Sequence, residues 1–278
     1  MEILIVGAGQ MGAGIAQVAA QHGHTVLLND RDNELIERGI AVIRKNLDRA
    51  VEKSRITKAE RDNALANICA TPHLTNVEVE VAIEAVTEDL TTKRAIFEVL
   101  DQQTRPEAVL ASNTSSISIT ALAAVTRCAP RVIGMHFMNP VPVMPLVEII
   151  RGLETSGETF DTVKALAVQL GKTPVETRDF PGFVANRVLM PMINEAIYAL
   201  YEGVASAEAI DTVMKLGANH PMGPLELADF IGLDTCLAIM NVLHEGFGDS
   251  KYRPCPLLRQ YVAAGRLGRK SGRGFYEY

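Results

Sequence analysis

The sequence predicts an α/β fold in which a doubly wound sheet with a helical-hairpin insertion is followed by a smaller all-α domain. Three observations predict it. Short aliphatic segments alternate with amphipathic helical segments, a glycine-rich turn joins the first strand to the first helix, and the strand pattern stops after Pro181 and Gly182. We therefore expect two domains, residues 1–181 and residues 182–278.

The chain opens with a β-α-β unit. Residues 2–6 are mostly aliphatic, as in a buried parallel strand, and a tight turn follows them. Residues 10–21 are rich in alanine with apolar side chains at helical spacing, and Gly23 suits the end of that helix. Residues 25–28 are expected to form a second strand, parallel to the first, because the unit has the length of a right-handed crossover.

The remaining elements extend this pattern. Residues 32–50 and a helix beginning at Thr57, with a capping box to Glu60, are expected to form a charged helical hairpin. The first domain continues with a strand, a helix and three strands, at residues 79–84, 90–102, 108–111, 131–136 and 146–150. The second domain is expected to hold helices at residues 183–201, 206–216, 225–247 and 256–264.

The composition is ordinary for a globular protein of 278 residues, with 47% hydrophobic and 22% charged residues. A net charge of −6 argues against general binding to nucleic acid or to membrane surfaces. The four cysteines, Cys69, Cys128, Cys236 and Cys255, are far apart, so we expect scattered buried thiols, no disulfide and no structural metal. With no targeting segment and no long apolar stretch, we expect a cytoplasmic protein.

The turn after the first strand, Gly7-Ala8-Gly9-Gln10-Met11-Gly12, has the spacing G-x-G-x-x-G. The motif alone is weakly specific, but here it follows a strand and opens a helix. Gly7 permits the tight turn, Gly9 lets a pyrophosphate approach the backbone, and Gly12 lets the helix pack against the strand. The helix N-terminus, with Gln10 and Met11, then faces the pyrophosphate. This predicts a Rossmann-type dinucleotide site; the alternative is a glycine turn in an unrelated α/β protein.

The identity of the dinucleotide depends on the end of the second strand. Asp30 stands there, where a carboxylate can accept hydrogen bonds from both hydroxyls of the adenosine ribose and repel a 2′-phosphate. Asp30 therefore favours NAD. The adjacent Arg31 can pair with a 2′-phosphate, so NADP stays open.

His136 is the candidate general base for oxidation of an alcohol. Of the six histidines it is the one that ends a central strand, where open α/β sheets place ligands, whereas His22 and His24 are expected at the surface. Glu148 lies between aliphatic residues of the next strand, and a carboxylate there needs a partner. Pairing with His136 would fix the imidazole tautomer; the alternatives are a structural histidine and a glutamate paired with an arginine.

Two further polar groups are candidates for contacts with the cofactor or substrate. The hydroxyl-rich segment Ser112-Asn113-Thr114-Ser115-Ser116 follows the fourth expected strand at the ligand edge, although Ser116 is also suited to capping the next helix. Asn186 lies one turn into the first helix of the second domain. Asparagine is unfavourable inside a helix, which suggests that Asn186 makes a functional contact. The alternative is a side chain that faces water.

Together these residues resemble the 3-hydroxyacyl-CoA dehydrogenase family, and within it the short-chain 3-hydroxybutyryl-CoA dehydrogenases most closely. The resemblance covers essentially the whole chain. It is carried, after the glycine turn, by residues 112–116 (SNTSS), 136–140 (HFMNP), 181–187 (PGFVANR), 214–217 (MKLG), 221–224 (PMGP) and 268–276 (GRKSGRGFY). Met138 replaces a common phenylalanine and Ala185 a larger aliphatic residue, which affects pocket shape rather than chemistry.

The resemblance implies oxidation of (S)-3-hydroxyacyl-CoA by NAD(P) to 3-oxoacyl-CoA. It implies that His136 is the general base, with Glu148 as its partner acid. Ser115 is implied to hydrogen-bond the reacting oxygen, and Asn186 to help hold the substrate. Lining of the nicotinamide half of the cofactor is implied for Glu88, Lys93, Asn113, Ser115 and Asn139.

The resemblance also implies a homodimer through the second domain and an acyl-CoA whose CoA tail lies over the helical hairpin. Lys53, with Arg49 and Arg55 nearby, could meet the CoA phosphates, but Asp48 and Glu52 make a solvated helix face the alternative.

Two other functions remain open on these residues. A dehydrogenase of free 3-hydroxy acids would rely on a lysine such as Lys215 instead of a histidine base. A former dehydrogenase kept as a cofactor-binding or structural protein is the non-enzymatic alternative, and the presence of both His136 and Glu148 argues against it.

Overall fold

The structure is a computed structural model that describes residues 1–278. The chain divides into two compact units, Met1–Phe180 and Pro181–Tyr278. We call them the sheet unit and the helical unit.

The sheet unit is built on one eight-stranded sheet. Its strands are β1 (Glu2–Val6), β2 (Thr25–Asn29), β3 (Ile68–Ala70), β4 (Val81–Glu84), β5 (Val109–Ser112), β6 (Val132–Phe137), β7 (Leu146–Arg151) and β8 (Thr173–Arg178). They lie in the order β3-β2-β1-β4-β5-β6-β7-β8. All neighbouring pairs are parallel except β6 with β7. The carboxyl ends of β1 to β6 therefore meet at one edge of the sheet, which is the edge that binds ligands in open α/β sheets.

Six helices accompany this sheet. They are α1 (Gln10–Gln21), α2 (Asn33–Glu52), α3 (Lys58–Ala66), α4 (Leu90–Gln103), α5 (Ile119–Ala123) and α6 (Gly157–Gln169). The Asp32 side chain caps α2, and Thr57 and Glu60 form the predicted capping box of α3. α1 packs on both α2 and α3, so the hairpin joins the same core as the sheet. Ile5, Ile15 and Ile43 are fully buried in that core.

The predicted α/β class, with its glycine turn and hairpin insertion, is confirmed, and three elements were missed. The strand expected third along the chain is β4, because the three-residue β3 precedes it and is too short to show a pattern. α6 and β8 were also not predicted. β8 (TPVETR) lies at the sheet edge and is mostly exposed, so it carries no aliphatic run. The residue that caps α5 is Ser118, not Ser116.

The helical unit contains five helices and no strand, where four helices were predicted. They are α7 (Ala185–Tyr201), α8 (Ala207–Gly217), α9 (Pro224–Ile231), α10 (Leu233–Phe247) and α11 (Pro256–Ala263). The single helix expected over residues 225–247 is wrong, since α9 and α10 meet at Gly232 with a bend of 98°. Gly232 has φ +103°, which side chains with a Cβ rarely adopt, so the break belongs at this glycine.

Two predictions about side-chain burial need correction, and the question of membrane-spanning helices needs comment. His24 is buried, not at the surface, whereas His22 is exposed. Of the four cysteines, Cys69 and Cys128 are exposed, so only the other two are buried thiols. No single helix is long and apolar enough to cross a bilayer. Only the bent pair of α9 and α10, taken together, has that length and hydropathy.

Candidate active site

The glycine turn lies between the carboxyl end of β1 and the start of α1. A Cβ on Gly12 would lie 1.7 Å from the Gly7 carbonyl oxygen, so no larger residue fits where the helix crosses the turn. A Cβ on Gly9 would meet nothing within 4 Å, which leaves the backbone open on the outer side. Gly9 is the N-cap of α1 and supplies no side-chain cap, so the first N–H groups of the helix remain available to an anion.

Asp30 follows β2 beside this turn. Its Oδ2 accepts a hydrogen bond from the Ala8 N–H at 2.7 Å, and its Oδ1 accepts one from the Arg31 N–H, also at 2.7 Å. These bonds fix the carboxylate against the glycine turn while each oxygen keeps a second acceptor position. The geometry suits an acceptor for two ribose hydroxyls, as the sequence predicts.

A cavity of about 740 Å³ opens next to Asp30. The glycine turn, the end of β2 and the start of α4 line it, and its wall is largely apolar, with Leu35, Leu74, Ile96 and Val99 among the lining side chains. An apolar cavity beside a carboxylate and an open helix N-terminus fits the adenosine half of a dinucleotide. The residues present therefore fit NAD.

His136 and Glu148 face each other across the one antiparallel step of the sheet. The register of β6 and β7 pairs these two residues directly, and Glu148 Oε2 lies 2.8 Å from His136 Nδ1. Both side chains are buried, with His136 8% and Glu148 2% exposed. Because the carboxylate accepts the Nδ1 proton, the lone pair of the neutral ring is on Nε2. The pairing predicted between these residues is therefore present.

The segment 112–116 follows β5, next to β6. Glu88 lies over it, and its Oε1 accepts hydrogen bonds from the Ser115 N–H at 2.9 Å and the Thr114 hydroxyl at 2.6 Å. The Ser115 and Ser116 hydroxyls also donate to Oε1, at 3.2 and 2.9 Å. Burial raises the pKa of Glu88, but the charge of Lys93 and these hydrogen bonds outweigh burial and hold its pKa below the usual value.

Asn113 and Asn139 are held in place by the same edge. Asn113 Oδ1 accepts the Phe137 N–H at 2.9 Å, which joins the ends of β5 and β6. Asn139 Oδ1 accepts from Gln10 Nε2 at 3.1 Å, which joins the glycine turn to the segment after β6. The sheet unit thus brings together the glycine turn, the serine-rich segment and the end of β6, as the sequence predicts for a shared ligand edge.

A second groove of about 600 Å³ lies on the other side of the glycine turn. α2 contributes Arg38, Val42 and Asn46 to it, and the segment 139–142 forms the opposite wall. Lys53 is exposed at the end of α2 and is not among the lining residues.

Asn186 belongs to the helical unit. It is the second residue of α7, not a full turn into the helix as expected, and only 9% of it is exposed. Asparagine is tolerated near a helix start. Its low helix propensity is therefore no longer a reason to expect a functional contact at this position.

One pair of residues at the site carries a signal that the sequence interpretation did not use. Glu84 ends β4 and is fully buried, and its Oε1 lies 2.6 Å from the ammonium of Lys93, itself 1% exposed. Lys93 was expected only as a cofactor contact. An acid within an otherwise apolar strand is the signal that pointed to Glu148, and it would have found Glu84, at the end of β4, too.

Two family models match consecutive parts of the chain. The model described as the NAD binding domain of 3-hydroxyacyl-CoA dehydrogenase matches residues 2–180. The model described as the C-terminal domain of 3-hydroxyacyl-CoA dehydrogenase matches residues 182–278. Together they account for nearly the whole chain.

Individual proteins are similar over the same length. A probable 3-hydroxybutyryl-CoA dehydrogenase of Bacillus subtilis is 60% identical, covering 100% of this chain and 97% of that protein. A 3-hydroxybutyryl-CoA dehydrogenase of Bradyrhizobium diazoefficiens is 57% identical, covering 99% of this chain and 94% of its own length. The crystal structure of (S)-3-hydroxybutyryl-CoA dehydrogenase PaaH1 from Ralstonia eutropha has 52% identity and a TM-score of 0.98, covering 100% and 98% of the two chains.

Proposed function

We propose that the substrate pair of this chain is (S)-3-hydroxybutyryl-CoA and acetoacetyl-CoA. The premise is that the chain belongs to the 3-hydroxyacyl-CoA dehydrogenase family and is an NAD-dependent oxidoreductase. The four-carbon acyl chain is supported by the names of the relatives, which are 3-hydroxybutyryl-CoA dehydrogenases. The observation that carries the chemistry is the buried pair of His136 and Glu148 at the ligand edge of the sheet.

In this reaction C3 of the substrate loses a hydride while its hydroxyl loses a proton. NAD supplies the hydride acceptor when it is bound. His136 Nε2 takes the hydroxyl proton, and the C–O bond becomes the carbonyl of acetoacetyl-CoA. Glu148 keeps the Nδ1 proton in place and stabilises the imidazolium that forms. In the reverse direction the same ring returns the proton.

The roles of Ser115 and Asn186 follow the resemblance to the family. Ser115 is proposed to hydrogen-bond the reacting oxygen, and its position in the segment after β5, beside β6, supports that role. Asn186 is proposed to help hold the substrate. Both would stabilise the oxygen as charge develops on it.

The cofactor contacts are proposed for the glycine turn and the residues at the same edge. The helix start after Gly9 receives the pyrophosphate, and Asp30 receives the ribose hydroxyls. Asp30 should disfavour NADP, since a 2′-phosphate would meet a carboxylate already fixed against the turn. Contacts near the nicotinamide are proposed for Glu88, Lys93, Asn113, Ser115 and Asn139.

The groove beside α2 is proposed to receive the acyl-CoA. Arg38 and Asn46 line it, and its location next to the glycine turn supports a substrate that ends near the cofactor. Lys53 is proposed to meet a CoA phosphate from the exposed end of α2, where a long flexible cation is free to reach a charged ligand.

We also propose a homodimer through the helical unit. Large apolar side chains on α7, α8 and α9 are well exposed: Val188, Val213, Leu216 and Phe230. Exposed apolar surface of this extent in one helical unit supports burial against a second copy. Light scattering should give a mass of twice 30.1 kDa, and Leu216→Glu should shift the population to the monomer.

A cytoplasmic location is proposed as well, in keeping with four free cysteines.

The purified protein should oxidise NADH rapidly when acetoacetyl-CoA is added, and should oxidise NADPH far more slowly. Free acetoacetate at the same concentration is the matched control. Reduction of the thioester alone supports the proposal. Preference for the free acid would favour the alternative that relies on Lys215, which the structure places in the exposed last turn of α8. No reduction of either, in protein that binds NADH, would contradict both.

A further inference from the structure

The end of β4 buries a complete ion pair. Glu84 is 0% and Lys93 1% exposed at the side chain, and their charged atoms are 2.6 Å apart. Removing two charges from water costs several kcal/mol per ion, and the attraction between them only partly offsets that cost. Apolar residues of similar volume would therefore serve stability at least as well, and the pair calls for another explanation.

The hydrogen bonds of Glu84 lead into the segment that carries Ser115. Its Oε2 accepts the Ser112 hydroxyl at 2.7 Å, and Ser112 Oγ in turn accepts the Thr114 N–H at 3.2 Å. Its Oε1, besides contacting Lys93, accepts the Val86 N–H at 2.7 Å. Glu84 thus links the ends of β4 and β5 beneath the segment 112–116.

Lys93 connects Glu84 to a second carboxylate, Glu88, that contacts the same segment. Its ammonium lies 3.4 Å from Glu88 Oε2, while Glu88 Oε1 accepts the N–H groups of Ser115 and Ser116 at 2.9 and 3.0 Å. The segment is therefore held by two carboxylates that share one cation. Lys93 thus contacts the carboxylates of both Glu84 and Glu88.

A buried ion pair elsewhere on the same helix does not have this connection. Asp101, near the other end of α4, is 4% exposed and pairs with Arg127 and Arg131. Its partners hydrogen-bond the backbone of residues 101, 105 and 108, and none of them touches the segment 112–116. Both sites contain a buried carboxylate, although Asp101 pairs with two arginines, of which Arg131 is 7% and Arg127 72% exposed, and the two sites differ in what they hold.

We propose that Glu84 is a positioning residue for the dehydrogenase reaction: through Ser112 and Lys93 it sets the segment 112–116, and with it the hydrogen-bonding groups of Ser115. Glu84 does not touch the reacting atoms. The inference rests on the proposed function for the role of Ser115, but the geometry of the segment can be measured without substrate.

The test compares Glu84→Gln with Asp101→Asn. The first removes a buried negative charge that contacts α4 through Lys93, and the second removes a buried negative charge on α4 itself. Backbone hydrogen exchange is followed by mass spectrometry in peptides covering residues 113–117, together with kcat for acetoacetyl-CoA, the Kd of NADH and the melting temperature. In Glu84→Gln the amides of Thr114, Ser115 and Ser116 should exchange about tenfold faster and kcat should fall about tenfold or more. The Kd of NADH should rise less than kcat falls, because the pyrophosphate and Asp30 contacts stay intact and only the proposed nicotinamide contacts around Lys93 and Ser115 are disturbed.

Asp101→Asn should lower the melting temperature but leave exchange in residues 113–117 and kcat as in the unaltered protein. Equal effects of the two substitutions on kcat would overturn the proposal, since they would reflect lost stability alone. Wild-type exchange in Glu84→Gln, or faster exchange with unchanged kcat, would overturn it as well.

Should Glu84→Gln fail to fold, Ser112→Ala provides the second variant. It keeps both charges and removes only the hydroxyl between Glu84 and Thr114, so faster exchange at Thr114 and a lower kcat are expected, and no change in either overturns the proposal. If the unaltered protein does not reduce acetoacetyl-CoA, the proposed function fails, whereas the exchange comparison still decides whether Glu84 sets the segment.

Discussion

Buried carboxylates in the two units have different partners. In the sheet unit, Glu148 faces His136 and Glu84 faces Lys93, so each acid is paired with a group that carries or can carry a positive charge. In the helical unit, Asp211 and Asp229 are equally buried but are satisfied by backbone N–H groups and tyrosine hydroxyls.

The helical-unit carboxylates hold the chain together at two places. Asp211 accepts the Leu225 and Glu226 N–H groups at the start of α9, at 2.8 and 2.9 Å. Asp229 accepts the Phe275 and Tyr276 N–H groups at 3.0 and 2.9 Å, which fastens the C-terminal segment to α9. Burial, with a smaller contribution from Asp211, raises the pKa of Asp229.

The difference separates two uses of a buried acid. An acid paired with a titratable or cationic group can hold a proton on that group or fix the position of its charge, and a reaction that moves protons needs this. A set of fixed N–H donors lets it govern only where the backbone lies. The predictions for His136, Asp229 and Glu148 below test whether activity and stability divide between these acids in this way.

The largest expected effect is that of His136→Gln. Loss of the general base should lower kcat about 10²–10⁴-fold, while the Kd of NADH and the melting temperature change little. Steady-state kinetics with acetoacetyl-CoA, a fluorescence titration with NADH and a thermal melt measure the three quantities. A variant that keeps full activity would remove His136 from the mechanism.

Asp229→Ala should affect stability instead of chemistry. It leaves the partly buried N–H groups of Phe275 and Tyr276 without an acceptor, at a cost of up to about 1–3 kcal/mol for each group. Urea unfolding should show the loss, and kcat per folded molecule should stay within about twofold. A large fall in kcat in folded protein would mean that the two uses of buried acids are not separated as proposed.

Glu148→Gln should have a smaller effect on turnover than His136→Gln. The amide can still meet Nδ1 but cannot stabilise the imidazolium, so kcat should fall about 10–100-fold with an unchanged Kd for NADH. Glu176→Gln, on the neighbouring edge strand β8, is the matched control, since Glu176 is exposed and should give wild-type kinetics. Equal kinetics of Glu148→Gln and Glu176→Gln would mean that the charge of Glu148 does not contribute to turnover.

The smallest effect concerns His24, a buried ring whose two nitrogens have no hydrogen-bond partner. Burial lowers its pKa, the N-terminal ammonium and His22 lower it further, and Glu80 opposes them. The unfolded chain therefore binds the proton more readily, so the free energy of unfolding should decline as pH falls below about 6.5. His24→Leu should reduce that decline in urea titrations at several pH values, while the exposed His73→Leu should leave it unchanged.

Local features of the fold were predictable because they depend on residues a few positions apart. The strand–turn–helix at the N-terminus, the Asp32 cap and the Thr57–Glu60 capping box need only short-range hydrogen bonds and spacing. The break at Gly232 was missed because apolar side chains continue through it on both sides, and the positive φ of the glycine leaves no mark on that pattern.

The sequence by itself determined the class of fold, the glycine turn and the strand end on which His136 stands. The sequence predicted Glu148 as the partner of that histidine but left an arginine partner open. The tertiary structure decided between them, and it alone showed which cation meets Glu84. Both pairings join residues from different elements, so they depend on strand order and register. The sequence shows that a buried charge needs a partner, because desolvation is costly wherever it occurs. The chain's path in space determines which residue that partner is.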